Sequence, residues 1–317
     1  MATITGSSAD ETLLGTAEAD LLQGLEGNDR LEGLEGADAL FGNQGRDTLI
    51  GGEGDDSLYG GRDDDRLEGG AGADALTGDL GDDLILGGAG LDILSGGDGA
   101  DRLDGGADRD LLFGGFGNDT LEGGLGDDFV AGDQGDDLIT NLGGVDFLMG
   151  LEGNDTVSAG ADGDLLLGNQ GRDLLTGGAG ADTLFGGRDS DTLSGGGGDD
   201  RISGDLGADV LTGGAGSDVF VFNALADSAP GAADRITDFV SGFDRIDLSA
   251  IDANTATAED DAFVLVAQFS LTAGQAVLSY DAGANATTLR LDVDGDGASD
   301  FDLLINGQVG SADGWVL

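Results

Sequence analysis

The residues best placed to do chemistry in this 317-residue chain are aspartates that recur every nine positions. A nine-residue frame opens at Gly6 and runs to Val221 without insertion or deletion, which makes 24 repeats. The sixth position is Asp in 23 repeats, here called the Asp column, and the eighth is apolar in all 24. If the repeats stack as strands at ~4.8 Å, neighbouring carboxylates repel each other unless a cation lies between them.

Calcium is the cation that best suits these residues. Gly occupies the first position of 22 repeats and the fourth position of 18, so tight turns with converging carbonyl oxygens accompany each carboxylate. Ca²⁺ accepts about six to eight oxygen ligands in flexible geometry, whereas Mg²⁺ demands a tighter octahedron. After each Asp the sequence alternates polar, apolar and polar residues, which predicts a short strand. Each repeat is therefore expected to form half of one turn.

The composition excludes several classes of function. The chain has 64 acidic residues against 12 basic ones, a formal net charge of −52, and no His or Cys. Catalytic triads with His, His-ligated zinc sites and disulfide frameworks are therefore ruled out. The charge repels phosphate backbones, so no nucleic-acid partner is expected. The sequence predicts no transmembrane segment, and its start is not typical of a signal peptide.

The repeat resembles the calcium-binding nonapeptide of RTX proteins, as residues 69–77, GGAGADALT, illustrate. The resemblance implies an all-β fold, a right-handed parallel β-roll of about 12 coils with two of the 24 repeats in each, followed by a smaller C-terminal β module. It also implies that the Asp of one loop and backbone carbonyls two repeats away share each ion. The predicted domains are a lead at 1–5, the roll at 6–221 and the C-terminal module at 222–317.

Seventeen repeats keep Gly at positions one and four together with Asp at position six, and the resemblance assigns their carboxylates to calcium. We expect roughly 15 to 20 Ca²⁺ ions. Without calcium, a chain this acidic and poor in aromatic residues is expected to be disordered, so metal binding would supply the folding energy. The candidate ligands are Asp29, Asp38, Asp47, Asp56, Asp74, Asp83, Asp92, Asp101, Asp119, Asp128, Asp137, Asp155, Asp173, Asp182, Asp200, Asp209 and Asp218.

The segment at 233–251, ADRITDFVSGFDRIDLSAI, resembles the C-terminal module of serralysin-type secreted proteases. Residues 313–317, DGWVL, are similar to the acidic-then-hydrophobic ending of type I secretion substrates. Gly314 departs from that ending, where a second large apolar residue is common. Since no N-terminal signal peptide is predicted, we expect an ABC-type exporter to deliver the chain to the extracellular space.

Residues 292–300, DVDGDGASD, resemble the start of an EF-hand loop, with acidic residues at positions one, three, five and nine and Gly at six. Leu303 occupies position twelve, where a bidentate Glu belongs, and the sequence predicts no flanking helices. We therefore favour a β-hairpin turn between strands at 287–293 and 301–305, and metal binding there is left open.

Strand residues beside the apolar eighth position are expected to point outward, on opposite faces for alternate repeats. One face is mostly polar, with Arg30 beside Glu32 as an example. The other face is apolar, which predicts that a second copy of the chain or the C-terminal module covers it. Its central members are Leu111, Phe113, Phe129, Phe147, Met149, Leu165 and Leu167.

Catalytic motifs are absent from the sequence. It contains no GxSxG elbow and no Walker A motif, and the repeats begin at Gly6. We interpret the chain as a secreted, non-enzymatic calcium-binding RTX protein, structural or adhesive at the cell exterior. The alternative is an accessory module, or a divergent member, of a secreted polysaccharide- or protein-modifying enzyme family.

Overall fold

The structure is a computed structural model that describes residues 2–254, 261–310 and 314–316. It divides into two compact units, Met1–Ala161 and Asp162–Leu317. The described residues form short β-strands and one 3-10 helix, Leu225–Ser228. Among them, no helix has the length and apolar character needed to cross a bilayer.

In the first unit each repeat contributes one strand, because its sixth-position residue is followed by a strand segment centred on the apolar eighth position and then by a turn, and one further strand, Thr3–Thr5, precedes the repeats. Odd-numbered strands form one parallel sheet and even-numbered strands form another. The strands are β1 Thr3–Thr5, β2 Thr12–Leu14, β3 Leu21–Glu26, β4 Arg30–Glu35, β5 Ala39–Gln44, β6 Thr48–Glu53, β7 Ser57–Arg62, β8 Arg66–Ala71, β9 Ala75–Leu80, β10 Leu84–Ala89, β11 Ile93–Asp98, β12 Arg102–Ala107, β13 Leu111–Phe116, β14 Thr120–Leu125, β15 Phe129–Gln134, β16 Leu138–Thr140, β17 Phe147–Glu152 and β18 Thr156–Ser158.

The core of the first unit is a single file of eighth-position side chains in each sheet. Residues pair with those 18 positions further along, so Leu22 pairs with Leu40, and Leu40 with Leu58. All three leucines are fully buried. The turns stack closely as well, because a Cβ added to Gly45, whose φ is +109°, would lie 2.0 Å from the carbonyl oxygen of Gly27. Only glycine fits that approach without a shift of the backbone.

The second unit repeats this pattern and then departs from it. Its strands are β19 Leu165–Gln170, β20 Leu174–Ala179, β21 Thr183–Arg188, β22 Thr192–Gly197, β23 Arg201–Leu206, β24 Val210–Ala215, β25 Val219–Val221, β26 Asp234–Ile236, β27 Arg245–Asp247, β28 Val264–Leu265, β29 Gln275–Asp281, β30 Ala286–Asp292, β31 Phe301–Asn306 and β32 Trp315–Val316. The parallel sheets continue beyond Val221, because β26 pairs with β24 and β27 pairs with β25. The predicted domain boundary at 221 stays a prediction.

A small antiparallel sheet closes the fold of the second unit. Strand β30 pairs antiparallel with both β29 and β31, and β31 also pairs in parallel with β26. Its core is aromatic, with the Phe222 and Phe301 rings edge to face at 5.4 Å. The predicted fold class is confirmed: the protein is all-β, with about 12 solenoid turns and a small antiparallel sheet.

The predicted export tail is partly described. Strand β32 pairs with β27, where Trp315 lies opposite Ile246. The Trp315 indole N–H donates to the carbonyl oxygen of Gly310 at 3.0 Å. Asp313 and Leu317 lie outside the described residues.

Candidate metal centre

The Asp column forms a hydrogen-bonded row within each unit. In most of the row, the backbone N–H of one Asp donates to Oδ1 of the Asp 18 residues further along, as from Asp29 to Asp47 (2.7 Å) and from Asp101 to Asp119 (2.8 Å). The carboxylates lie under the turns, and Asp101 is 2% exposed. The backbone therefore fixes one oxygen of each carboxylate in place.

The second carboxylate oxygen, Oδ2, is buried and has no hydrogen-bond partner in most of the column. A buried charged oxygen without a partner is costly, so each is an acceptor in need of positive charge. These oxygens belong to Asp29, Asp38, Asp47, Asp56, Asp65, Asp74, Asp83, Asp92, Asp101, Asp110, Asp119, Asp137, Asp182, Asp191, Asp200, Asp209 and Asp218.

Glycine at position one keeps the space beside Oδ2 open. A Cβ added to Gly78 would lie 2.1 Å from Asp83 Oδ2 and 2.6 Å from the carbonyl oxygen of Gly96 in the next turn. The gap is thus bounded by a carboxylate oxygen and a backbone carbonyl oxygen, which are the ligand types that Ca²⁺ prefers. The residues present therefore fit a calcium ion held between successive turns.

The electrostatics of the column favour the same conclusion. Burial raises the pKa of Asp47 to about 6, that of Asp101 to about 7 and that of Asp65 to about 8. Repulsion from the neighbouring carboxylates of the column adds to the raised pKa values, while the backbone N–H bonds to Oδ1 oppose it. At neutral pH an ionised column therefore needs a counter-charge.

The structure places all 17 predicted ligands in the Asp column, and each is buried. Six further sixth-position aspartates lie in the same column although their repeats depart from the Gly consensus: Asp20, Asp65, Asp110, Asp146, Asp164 and Asp191. At the first turns, Asp20 Oδ2 accepts both the N–H and the hydroxyl of Thr16 at 2.7 Å. Asp128 also differs, because its Oδ2 accepts from Asn141 Nδ2 at 3.2 Å.

Two column members were missed from the sequence because they lie outside the nonapeptide frame. Asp234 Oδ1 accepts the N–H of Asp209 at 2.8 Å, and Asp244 Oδ1 accepts that of Asp218 at 3.1 Å. Asp234 is fully buried with no partner on Oδ2, and burial strongly raises its pKa. The available signal was the triplet Asp-Arg-Ile at 234–236 and again at 244–246, which repeats the Asp-x-apolar part of the nonapeptide.

An outer row of side chains at position five supports the turns from the solvent side. Asp55 Oδ1 accepts the N–H of Ala73 at 2.9 Å, and Asp82 Oδ1 accepts that of Ala100 at 2.9 Å. Each carboxylate here receives its bond from the following turn, whereas the Asp column receives its bonds from the preceding turn. Recurrent Asp and Asn at position five were the sequence signal for this row.

The hairpin predicted around residues 292–300 is confirmed by the antiparallel pairing of β30 with β31. One carboxylate oxygen each of Asp292, Asp294 and Asp300 lies within 4.8 Å of the others. Backbone N–H groups already bind these carboxylates: Gly295 and Gly297 donate to the two oxygens of Asp292 at 2.7 and 3.1 Å. The loop is therefore stabilised by its own amides.

The predicted apolar face lies on the odd-numbered strands, and its side chains are half-buried. Within the first unit the Phe129 ring lies 5.7 Å from Phe113 and 5.4 Å from Phe147. Leu111 and Met149 lie in the same strands as these rings, and Leu165 and Leu167 lie in the second unit. The Phe129–Phe147 contact follows directly from the parallel register of β15 and β17, whereas Phe113 lies opposite Ala131 and contacts Phe129 diagonally.

Residues 4–317 match the family model described as Peptidase M10 serralysin C terminal. The chain belongs to this family. The resemblance to serralysin-type modules predicted from the sequence is thereby confirmed.

Among curated relatives, Metallopeptidase AprA of Pseudomonas marginalis is 46% identical over 94 residues, 30% of this chain and 18% of that protein. Serralysin A of Dickeya chrysanthemi is 35% identical over 98 residues, 31% of this chain and 20% of that protein. The matches thus span about a fifth of these relatives' length. A solved structure, the AlgE6R3 subunit of the Azotobacter vinelandii Mannuronan C5-epimerase, aligns with a TM-score of 0.32 at 27% identity over 51% of this chain and 77% of that one.

Proposed function

We propose that this serralysin C-terminal family member is an extracellular calcium-binding repeat protein that folds when Ca²⁺ enters the Asp column, and that it is structural or adhesive rather than enzymatic. The observation that carries the proposal is the row of buried Oδ2 atoms without partners. When bound, Ca²⁺ would supply the positive charge that these oxygens lack. Because the sites exist only when the turns stack, binding energy becomes folding energy.

The adhesive role is tested by retention on immobilised cell-surface glycans. We expect the purified chain to be retained in millimolar Ca²⁺ and released by EGTA, because only the folded roll presents ordered faces. Bovine serum albumin in the same buffers controls for non-specific retention. Absence of retention in Ca²⁺ would remove the adhesive role and leave calcium-induced folding untouched.

A second candidate is that the chain acts as the C-terminal portion or accessory module of a secreted enzyme. The sequence similarity to AprA and Serralysin A supports it. A zinc site with His ligands would require residues that this sequence lacks. Turnover assays on casein and on acidic and neutral polysaccharides test whether this chain itself is a divergent enzyme. We expect no turnover by this chain alone, and turnover abolished by chelation would show that it is enzymatic.

Export through a type I system is the proposed route to the exterior, supported by family membership and by the apolar ending. Deleting residues 312–317 should abolish secretion while leaving calcium-induced folding of the roll intact. Among the described residues, the deletion removes β32 and its pairing with β27, the bond from the Ile246 N–H to the Gly314 carbonyl oxygen, and the ring contact of Trp315 with Phe239. Secretion of the shortened chain at the full rate would place the signal elsewhere.

Self-association through the apolar face is proposed for the folded roll. The contacts of Phe129 with Phe113 and Phe147 form a continuous aromatic row within the first unit. Phe129→Glu combined with Phe147→Glu should lower the mass measured by light scattering in saturating Ca²⁺. An unchanged mass, melting temperature and dye binding would mean that this face has no partner.

A further inference from the structure

Asn141 stands at the first position of its repeat, where 22 of the 24 repeats have Gly. Its side chain is 5% exposed and points into the cleft beside Asp128. Asn141 Nδ2 donates to Asp128 Oδ2 at 3.2 Å. Asn141 Oδ1 accepts the N–H groups of Gly124 at 2.7 Å and Leu142 at 3.0 Å. The carboxamide is therefore bonded on both sides.

The same cleft in a repeat that keeps the Gly consensus has a different boundary. At Gly87, an added Cβ would lie 2.6 Å from Asp92 Oδ2 and 2.6 Å from the carbonyl oxygen of Gly105. At Gly123, the added Cβ would lie 2.7 Å from Asp128 Oδ2, but its next neighbours are Asn141 Oδ1 at 2.8 Å and Cγ at 3.0 Å. A carboxamide thus fills the place where the oxygen of the next turn lies in the ordinary cleft.

The backbone row of the Asp column is unaffected by this exchange. Asp110 N–H donates to Asp128 Oδ1 at 2.8 Å, and Asp128 N–H donates to Asp146 Oδ1 at 2.8 Å. The exchange therefore leaves the row of bonds to Oδ1 intact. The neighbouring even-numbered strands β16 and β18 have three residues each, whereas β14 has six.

We propose that Asn141 closes the Asp128 cleft with its own carboxamide, so that this cleft binds no calcium while the turns around it do. The N–H group of an amide carries partial positive charge and donates to the oxygen that a cation would otherwise bind. A Ca²⁺ ion beside that amide nitrogen would face a donor hydrogen instead of a ligand lone pair. At this cleft, the bond between the carboxylate oxygen Oδ2 and the next turn therefore does not depend on calcium.

This inference rests on the proposed binding of calcium along the Asp column. Counting the bound calcium ions tests it. Asn141→Gly removes the carboxamide and restores the consensus, so it should bind one Ca²⁺ more than the parent chain. Asn141→Asp keeps the shape but replaces the donor by an oxygen, so it should also bind one more ion. Asn118→Gly is the matched control, because Asn118 is exposed at position five and its change should leave the count unaltered.

Native mass spectrometry of the calcium-loaded full-length chains gives the counts, and thermal unfolding in saturating Ca²⁺ verifies that each variant is folded. A gain of one ion in both Asn141 variants, with none in Asn118→Gly, supports the proposal. Counts equal to the parent in both folded variants would overturn it. If Asn141→Gly fails to fold, the isosteric Asn141→Asp decides alone. A parent chain that binds no calcium would instead contradict the proposed function.

Discussion

Buried aspartates in the roll and in the C-terminal hairpin are satisfied in opposite ways. Asp101 in the roll has one oxygen bound to a backbone N–H and leaves Oδ2 buried without a partner. Asp292 in the hairpin is fully buried as well, but Gly295 and Gly297 donate to both of its oxygens. The same residue type thus creates a demand for a cation in one region and a self-sufficient turn in the other.

The hydrophobic cores of the roll and of the antiparallel sheet also differ. The roll places one apolar side chain per strand in a single file, such as Leu112 between Leu94 and Val130. The antiparallel sheet packs Phe222 against Phe301 and buries Leu289 and Leu291 completely. We therefore expect folding to depend on calcium more strongly in the roll than in the antiparallel sheet.

The largest expected effect is that of pH on the calcium-free roll. Folded-state pKa values of about 7 for Asp101 and Asp137 and about 8 for Asp191 lie above the unfolded value of 3.8. A raised folded-state pKa adds stability that is fully present below pH 3.8 and is lost as the pH rises through 7 to 8. In EGTA, β structure should therefore appear as the pH falls from 8 to 4.

Far-UV circular dichroism across this pH range measures the effect. With Ca²⁺ present the trend should reverse, since protons compete with calcium for the same carboxylates. A calcium-free chain equally unstructured at pH 8 and pH 4 would mean that column repulsion does not oppose folding.

The next largest effect is expected from shortening core side chains, and it should differ between the roll and the antiparallel sheet. Leu112→Ala and Leu289→Ala both empty fully buried positions, which costs about 2 to 5 kcal/mol. For Leu112→Ala we expect a higher calcium midpoint, because folding and binding are linked in the roll. For Leu289→Ala we expect a lower melting temperature in saturating Ca²⁺. Calcium titrations of both variants check this, and equal midpoint shifts would erase the distinction.

Removing single carboxylates should give a smaller effect of the same kind. Asp101→Asn takes a negative charge from the column and should raise the calcium midpoint at a cost of about 1.5 to 3 kcal/mol. Asp292→Asn disturbs hydrogen bonds within the hairpin. It should lower the free energy of unfolding by a similar amount, and with it the melting temperature. A midpoint shift in the hairpin variant, with none in the roll variant, would contradict the comparison.

The smallest effect concerns the backbone of the turns. Asp108 has a φ of +76°, a left-handed conformation that an L-residue adopts at a cost of about 1 to 2 kcal/mol. Asp108→Gly should therefore raise the melting temperature slightly in saturating Ca²⁺. Asp104→Gly, in strand β12, should lower it, because glycine weakens a strand. Identical shifts in the two variants would mean that the turn carries no strain.

Much of the fold and most of the candidate site follow from the sequence, because a period of nine fixes the register of every turn. The eighth-position column predicted the buried residues from Leu13 to Phe220. Asp234 was missed because the segment with the 3-10 helix Leu225–Ser228 stretches its spacing from Asp209 to 25 residues instead of 18. The role of Asn141 was missed because the repeat pattern alone does not show where a carboxamide points.

The most direct test of the central claim is a calcium titration followed by far-UV circular dichroism at neutral pH. The account predicts a coil spectrum in EGTA and a β spectrum in millimolar Ca²⁺, while millimolar Mg²⁺ alone does not suffice. The reason is that the buried Oδ2 atoms need a cation that also accepts carbonyl oxygens in flexible geometry. A β spectrum that persists in excess chelator at neutral pH would contradict the account.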